Sequence, residues 1–192
     1  MQSKSLLSGA ARLVVAAIVL SMCSALHAHA ARLASDESDV RNAVEQAFGQ
    51  LRAGDYSALY DVLPSASQRK VTRERFVRGL EQTRTMYELE RLEIGAVHVA
   101  GDLAVVDSVI YGRARAPFEG EGKIVLRQYL LREGGRWRVT LGERTAVSPL
   151  LAANPAFARR YPLTQPRLYV KRDGKWQDIR TLMQGMRRKP MK

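Results

Sequence analysis

The stretch Val97–Thr140, VHVAGDLAVVDSVIYGRARAPFEGEGKIVLRQYLLREGGRWRVT, carries the strongest fold signal in this chain. Runs rich in Val, Ile, Leu and Tyr alternate in it with turn residues, which is the pattern of half-buried strands joined by short connections. The turns are predicted at Ala100–Asp102, Pro117–Gly122 and Glu133–Gly135. The stretch therefore predicts one antiparallel sheet.

Both faces of the predicted sheet are apolar. In its second strand, Leu103 and Val105 lie on one face, whereas Ala104 and Val106 lie on the other. A sheet that is apolar on both faces needs a cover on each. The upstream helices can cover one face, and the other is expected to be covered either by a second subunit in a homodimer or by the C-terminal segment folded back.

Three helices are predicted before the sheet. The first ends near Ala53, where Gly54 suits the left-handed stop of a helix. Asp55 is placed to cap a short second helix, and Thr72 to cap a third. The polar segment Ser65–Val71 between them is predicted to be a loop. In the strand that follows, the apolar positions change phase around Gly95, which predicts a bend in the sheet.

The chain changes character after residue 145. Prolines recur at positions 149, 155, 162 and 166, so residues 146–192 are predicted to form a linker or a strapped segment outside the core of the domain. Within it, Asp173-Gly174 between two apolar runs predicts a short hairpin, followed by a basic tail. The domain itself is predicted to span residues 31–145.

The order of these elements resembles the NTF2-like superfamily, which includes SnoaL-like and ketosteroid-isomerase-like proteins. The resemblance rests on Leu51–Tyr56 (LRAGDY), Val99–Val106 (VAGDLAVV) and Arg132–Val139 (REGGRWRV), and it covers about residues 36–145. It implies an α+β cone in which three N-terminal helices pack on a curved antiparallel sheet, with a pocket between them and a basic C-terminal extension beyond. Dimers through the outer sheet face are frequent in that family, whose members have many unrelated functions.

Residues 1–30 have the pattern of a secretory signal. Lys4 and Arg12 precede the apolar run 13–20, and Ala28-His29-Ala30 follows it as an A-x-A cleavage site. Cleavage is expected after Ala30, which would place the protein in the periplasm or outside the cell. The alternative is a lipoprotein signal ending at Cys23, from which Met22 departs because that signal requires a small residue before the cysteine.

Charge is concentrated at the C-terminal end. The chain has a net charge of +12, and residues 159–192 contain eleven basic and two acidic residues. Four basic residues near the terminus are expected either to bind an anionic envelope surface or to form a solvated end. They are Arg187, Arg188, Lys189 and Lys192. Nucleic acid is not an expected partner, because the export signal would take the protein out of the compartment that contains nucleic acid.

One carboxylate stands among apolar residues of the sheet. Asp107 shares a strand face with Leu103 and Val105, so it must be paired or have a raised pKa, and Arg127 on the next strand could pair with it. Asp107 is the candidate catalytic residue, and an ion pair with Arg127 is the alternative use. Other residues could line a pocket between helices and sheet. These candidates are Tyr56, Tyr60, Tyr87, His98, Tyr111, Arg127 and Tyr129.

The sequence contains no cluster of metal ligands and no nucleotide-binding loop, so neither a metal nor a cofactor is predicted. The catalytic tyrosine and two carboxylates of the ketosteroid-isomerase branch cannot be matched residue by residue, so that activity is not carried over. Two hypotheses remain. The first is an exported domain that binds a small apolar ligand or a protein partner without catalysis. The second is a pocket enzyme of isomerase, cyclase or hydrolase type that uses Asp107 as general acid or base.

Overall fold

The computed structural model describes residues 34–115, 119–141 and 144–188, with side chains as far as residue 184. The predicted signal at 1–30, with Cys23, lies outside the described residues, as do Lys189, Lys192 and the side chains of Arg187 and Arg188. The chain divides into a unit of residues 1–38, of which only 34–38 are described, and a unit of residues 39–192.

Helices come first in the described chain. They are α1 (34–53), α2 (Tyr56–Asp61), α3 (Ser65–Gln68) and α4 (Arg73–Arg84). Gly54 has a φ of +79° after α1, and the Asp55 carboxylate accepts a hydrogen bond from the Ala58 N–H at 3.1 Å. The Thr72 hydroxyl accepts one from the Arg75 N–H at 3.4 Å. These helix ends confirm the prediction.

The segment predicted as a polar loop at 65–71 instead begins with α3, so that part of the prediction was wrong. The Glu133 carboxylate accepts hydrogen bonds from the Ser65 N–H and from the Ser65 hydroxyl, both at 3.0 Å. A helix start leaves backbone donors without partners, and a residue far away in the sequence supplies the acceptor here. Local sequence alone could not indicate this contact.

Six antiparallel strands form one sheet, with the order β1-β2-β3-β5-β6 and β4 paired to β3. They are β1 (Tyr87–Ala100), β2 (Leu103–Ala114), β3 (Gly120–Glu133), β4 (Arg136–Val139), β5 (Arg167–Arg172) and β6 (Lys175–Asp178). Three further helices accompany the second half of the chain. They are α5 (Arg144–Ala153), α6 (Pro155–Arg160) and α7 (Ile179–Arg188). Among the described residues, no helix has the length and apolarity that crossing a bilayer requires.

The bend predicted in β1 is present, whereas β3 begins earlier than predicted. The pairing of β1 with β2 shifts between Ile94 and Val97, which confirms the bend expected at Gly95. The turn predicted at Pro117–Gly122 was too long, because β3 already begins at Gly120. Because glycine is common in turns, Gly122 was predicted to belong to the turn. In the structure it is part of the strand.

The helices pack on one face of the sheet, which we call the helix-side face. Val44 of α1, Leu59 of α2 and Phe76 of α4 belong to the same buried cluster as Val106 and Leu130 of the sheet. Helices on one face of an antiparallel sheet are the α+β architecture that the sequence predicted, and the fold class is confirmed.

The opposite face, the outer face, is covered at one end by the C-terminal segment. Val147 and Leu151 of α5 and Phe157 of α6 form a buried cluster with Val105 and Tyr129 of the sheet. At this end of the outer face, the cover is therefore the folded-back C-terminal segment, one of the two covers expected from the sequence. Homodimer formation through the rest of the outer face stays a prediction, which light scattering at micromolar concentration would test.

The segment after residue 145 was predicted to be a linker or a strapped segment, and it forms α5 and α6, which pack on the outer face. Two of its prolines are accommodated inside these helices. Pro155 occupies the first turn of α6, where its missing N–H costs nothing. Pro149 lies inside α5, and the Thr145 carbonyl four residues earlier accepts a hydrogen bond from Lys70 Nζ at 2.8 Å instead. The predicted hairpin is confirmed: Asp173 and Gly174 have φ of +51° and +73° between β5 and β6.

Candidate ligand-binding groove

Two glycines opposite each other open a depression in the helix-side face. Gly112 of β2 pairs with Gly122 of β3, and the neighbouring pair on the same face is Ile110 with Ile124. Neither glycine has a side chain: the backbone of β1 approaches Gly112 closely, whereas the face beside Gly122 and the two isoleucines is left hollow. A cavity of about 310 Å³ results, which we call the apolar groove. Its principal apolar walls are Leu51, Met86, Ile110, Ile124, Leu168 and Ile179.

Elements that are distant in the sequence supply these walls. Leu51 comes from the last turn of α1, and Met86 follows α4, where its N–H donates to the Thr83 carbonyl at 3.0 Å. Leu168 is held opposite Ile124 by the pairing of β5 with β3. The C-terminal hairpin, predicted to lie outside the domain, therefore forms one side of the groove.

The mouth of the groove leaves large apolar side chains in water. Met86 is 53% exposed and Leu168 is 43% exposed. Exposed apolar surface around a cavity marks an interaction site more often than a scattered single residue does. The groove is thus both hollow and open.

Two of the predicted pocket residues, Tyr87 and Tyr111, border the apolar groove. Tyr111 alternates with Gly112 along β2, so its ring lies on the outer face, 6.4 Å from the Trp176 ring between centroids. Tyr56 is instead buried in the helix-side core, where burial raises the pKa of its hydroxyl. Tyr60 is buried nearby, and its hydroxyl donates to the Val71 carbonyl at 2.9 Å. These two tyrosines hold helices together and do not border the groove.

The remaining candidates lie on the outer face. Arg127 Nε donates to Asp107 Oδ1 at 2.8 Å and Arg127 Nη2 to Asp107 Oδ2 at 3.1 Å, a two-point ion pair that raises the pKa of Arg127. The His98 ring stacks on Tyr161 with centroids 5.1 Å apart. Tyr129 is fully buried under the C-terminal segment. The residues predicted for one pocket are thus divided between two faces of the sheet.

The glycine pair is what the sequence reasoning missed. Gly112 and Gly122 are equally distant from the centre of the β2–β3 turn, as are Ile110 and Ile124. Counting residues outward from the turn along both strands would therefore have predicted both pairs. Leu168 could not have been found this way, because its contact depends on which strand β5 joins.

Two larger hollows carry more charge. One of about 600 Å³ on the outer face is bordered by Asp107, Arg127 and Gln165, and one of about 610 Å³ beside α4 is bordered by Lys70 and Arg75. Ligand sites are concave and mostly apolar, which favours the apolar groove. Among the described residues, no three His, Cys, Asp or Glu side chains come together as a metal site.

Asparagine at position 107 is expected to lower the free energy of unfolding by about 1 kcal/mol, because it removes a partly exposed ion pair. The Asp107 side chain is 46% exposed. Urea unfolding measures the effect. Asp102→Asn is the control, since that exposed carboxylate lies 3.9 Å from Arg132 and its loss should cost less. An Asp107→Asn variant as stable as the wild type, or more so, would contradict a structural role for the pair.

No protein-family model and no curated protein sequence matches the chain. Similar solved structures include an NTF2-like protein with a cystatin-like fold from Novosphingobium aromaticivorans, at 17% identity and a TM-score of 0.41, over 78% of this chain and 99% of that one. An NTF2-like protein from Cytophaga hutchinsonii is similar at 13% identity and a TM-score of 0.37, over 52% and 88%. A SEC-C motif-containing protein from Rhodopseudomonas palustris is similar at 11% identity and a TM-score of 0.40, over 48% and 68%.

These similarities are too distant to carry any inference about a ligand or an activity. The family that the sequence motifs resemble is nevertheless present among them, and NTF2-like proteins are thus among the solved structures to which this chain is similar.

Proposed function

We propose that this chain is an exported domain, periplasmic or secreted, that binds a small apolar ligand in the apolar groove without catalysing a reaction. The observation that carries the proposal is the open hollow of about 310 Å³ beside Gly112 and Gly122. Its volume is at the lower end of the range of about 300–1,000 Å³ that is usual for ligand sites. Burial of an apolar molecule there would also cover Met86 and Leu168.

Catalysis by Asp107 has less support. A general acid or base must reach the substrate, and Asp107 lies on the face of the sheet opposite to the apolar groove. Both of its oxygens accept hydrogen bonds from Arg127, which is the arrangement of a structural ion pair. An enzyme built on Asp107 would need a substrate in the charged hollow of the outer face.

The groove can be tested with N-phenyl-1-naphthylamine, a neutral apolar dye that fluoresces in apolar surroundings. We expect residues 31–192 to bind one dye molecule per chain. Gly122→Val should weaken the affinity at least tenfold, because a Cβ at Gly122 makes only ordinary contacts at 3.6 Å or more while the rest of the side chain fills the groove. Leu168→Gln should weaken it about fivefold, since the lost transfer energy of a partly exposed leucine is about 1 kcal/mol.

Val125→Gln is the matched control. Val125 is 37% exposed on the outer face, one residue from the pair Ile124 and Leu168, and does not border the groove. Equal dye affinity for the wild type and a folded Gly122→Val variant would contradict the proposal. Export is tested separately by the intact mass of the exported protein, expected to begin at Ala31; an acylated chain beginning at Cys23 would mean a lipoprotein instead.

A further inference from the structure

The exposed apolar surface at the groove mouth continues along α7. Met86, Leu168 and Ile179 border the groove, and Met183 follows Ile179 by one helical turn on the same helix. Met183 is 45% exposed, comparable to Met86 and Leu168. A soluble domain rarely leaves such side chains together in water unless they meet another apolar phase.

The sequence of α7 is that of an interfacial helix. Positions 179, 182, 183 and 186 are apolar at helical spacing, and the residues between them are Arg180, Thr181, Gln184 and Gly185. Residues 179–192 contain no acid and include Arg180, Arg187, Arg188, Lys189 and Lys192. A helix with an apolar stripe and a basic remainder is typical of helices that lie in the headgroup region of an anionic membrane.

Hydrogen bonds fix α7 beside the groove. The Asp178 carboxylate accepts from the Arg180 N–H at 2.8 Å and so caps the helix start. Arg180 Nη2 donates to the Pro166 carbonyl and to Gln165 Oε1, both at 3.1 Å. The start of the helix is thus tied to the segment that leads into β5. Its apolar stripe and the groove mouth therefore keep one relative orientation.

Basic side chains also lie at the end of β2. Arg115 is exposed and borders the groove, whereas Arg113 alternates with Gly112 along the strand, so its side chain lies on the outer face. Arg113 is paired with Glu90 at 3.0 Å, with its side chain 68% exposed. The exposed Arg180 of α7 and the exposed Arg115 after β2 place positive charge near the exposed apolar residues, and among the described residues Glu88 of β1 is the acidic residue that borders the groove. This arrangement complements an anionic lipid surface with an apolar interior.

We propose that this end of the domain docks on an anionic lipid bilayer, with Met86, Leu168 and Met183 entering the headgroup region. The apolar groove then opens toward the lipid, so its ligand can pass between protein and membrane without crossing water. That second step rests on the proposed function, whereas docking itself does not. The proposal differs from attraction by a basic tail, because apolar residues of the folded domain contribute to binding.

Sedimentation with vesicles tests the docking. Residues 31–192 should bind phosphatidylglycerol vesicles at 0.1 M salt and bind phosphatidylcholine vesicles at least tenfold more weakly. Raising the salt to 1 M should weaken the binding without abolishing it, because screening removes the charge contribution and leaves the apolar one. Met183→Gln should reduce the affinity for anionic vesicles about fivefold, as expected for a half-buried apolar side chain. Val125→Gln, of similar exposure on the outer face, should bind like the wild type.

A site-specific label gives the orientation. Cys23 is the only cysteine of the sequence, so residues 31–192 contain none and Met183→Cys and Val125→Cys each carry a single thiol. A polarity-sensitive fluorophore should shift to the blue at position 183 on anionic vesicles and stay unchanged at position 125. Complete release at 1 M salt, equal binding by Met183→Gln, or equal shifts at both positions would overturn the docking. Loss of dye binding in the groove with docking intact would overturn only the ligand site.

Discussion

Replacement of Gly112 by alanine is expected to lower the free energy of unfolding by about 3 kcal/mol, the upper end of the usual cost of overpacking. A Cβ at this position would lie 2.2 Å from the carbonyl oxygen of Glu88 and 3.3 Å from the Cα of Leu89. Both neighbours are backbone atoms of β1, next to the register shift between Leu89 and Arg91. Neither can move without disturbing the pairing of β1 with β2.

Gly122→Ala is the matched control for Gly112→Ala. The two glycines are opposite each other in the sheet, yet a Cβ at Gly122 would have its nearest neighbour at 3.6 Å, an ordinary contact with the Tyr169 carbonyl oxygen. We expect its free energy of unfolding to change by no more than about 0.5 kcal/mol. Urea unfolding of both variants measures the difference. Equal midpoints for the two would mean that β1 does not approach β2 this closely.

Removal of the Tyr129 side chain should cost about 4 kcal/mol, as is usual when a buried aromatic residue becomes alanine. The ring is fully buried beneath α5 and α6, and its hydroxyl donates to the Pro162 carbonyl at 2.8 Å. Tyr129→Phe keeps the packing and loses only the hydrogen bonds of the hydroxyl, so it should cost about 1 kcal/mol. Limited proteolysis should cut residues 144–163 faster in the alanine variant than in the phenylalanine variant. Equal protection in both would show that the segment is held without Tyr129.

Tyr129 also predicts a dependence on alkaline pH. Burial raises the pKa of its hydroxyl in the folded state, whereas a tyrosine in the unfolded chain has a pKa of about 10. The stabilisation from the neutral hydroxyl is therefore complete below pH 10 and is lost as pH rises from about 10 through the raised pKa. Tyr129→Phe should lose less stability than the wild type over that interval. Parallel curves of unfolding free energy against pH for the two chains would contradict the assignment.

Features that depend on neighbouring residues could be predicted from the sequence. Gly54 has the left-handed backbone that ends a helix, and Asp55 and Thr72 accept hydrogen bonds from N–H groups three residues later. Asp173-Gly174 forms the expected turn with positive φ at both positions. Each device acts over a few residues, so the sequence around it contains the whole cause.

Features that depend on contacts with residues distant in the sequence could not be predicted from the sequence. The Thr145 carbonyl loses its helical partner at Pro149, and only the folded chain brings Lys70 to replace it. The prolines therefore indicated a linker or a strapped segment, and the sequence could not decide between them, whereas the structure shows the segment covering the outer face. Asp107 was placed correctly on an apolar strand face, but alternation along a strand does not say which of two covered faces holds the groove.

The sequence by itself determined the α+β class, the antiparallel sheet, the helix ends and the hairpin, because turn chemistry and hydrophobic period are local properties. The tertiary structure determined where the groove lies, since the groove requires Gly112 to meet Gly122 and Leu168 to meet Ile124. Pairing between strands that are far apart in the chain depends on the burial and hydrogen bonding of the whole sheet, to which every strand contributes.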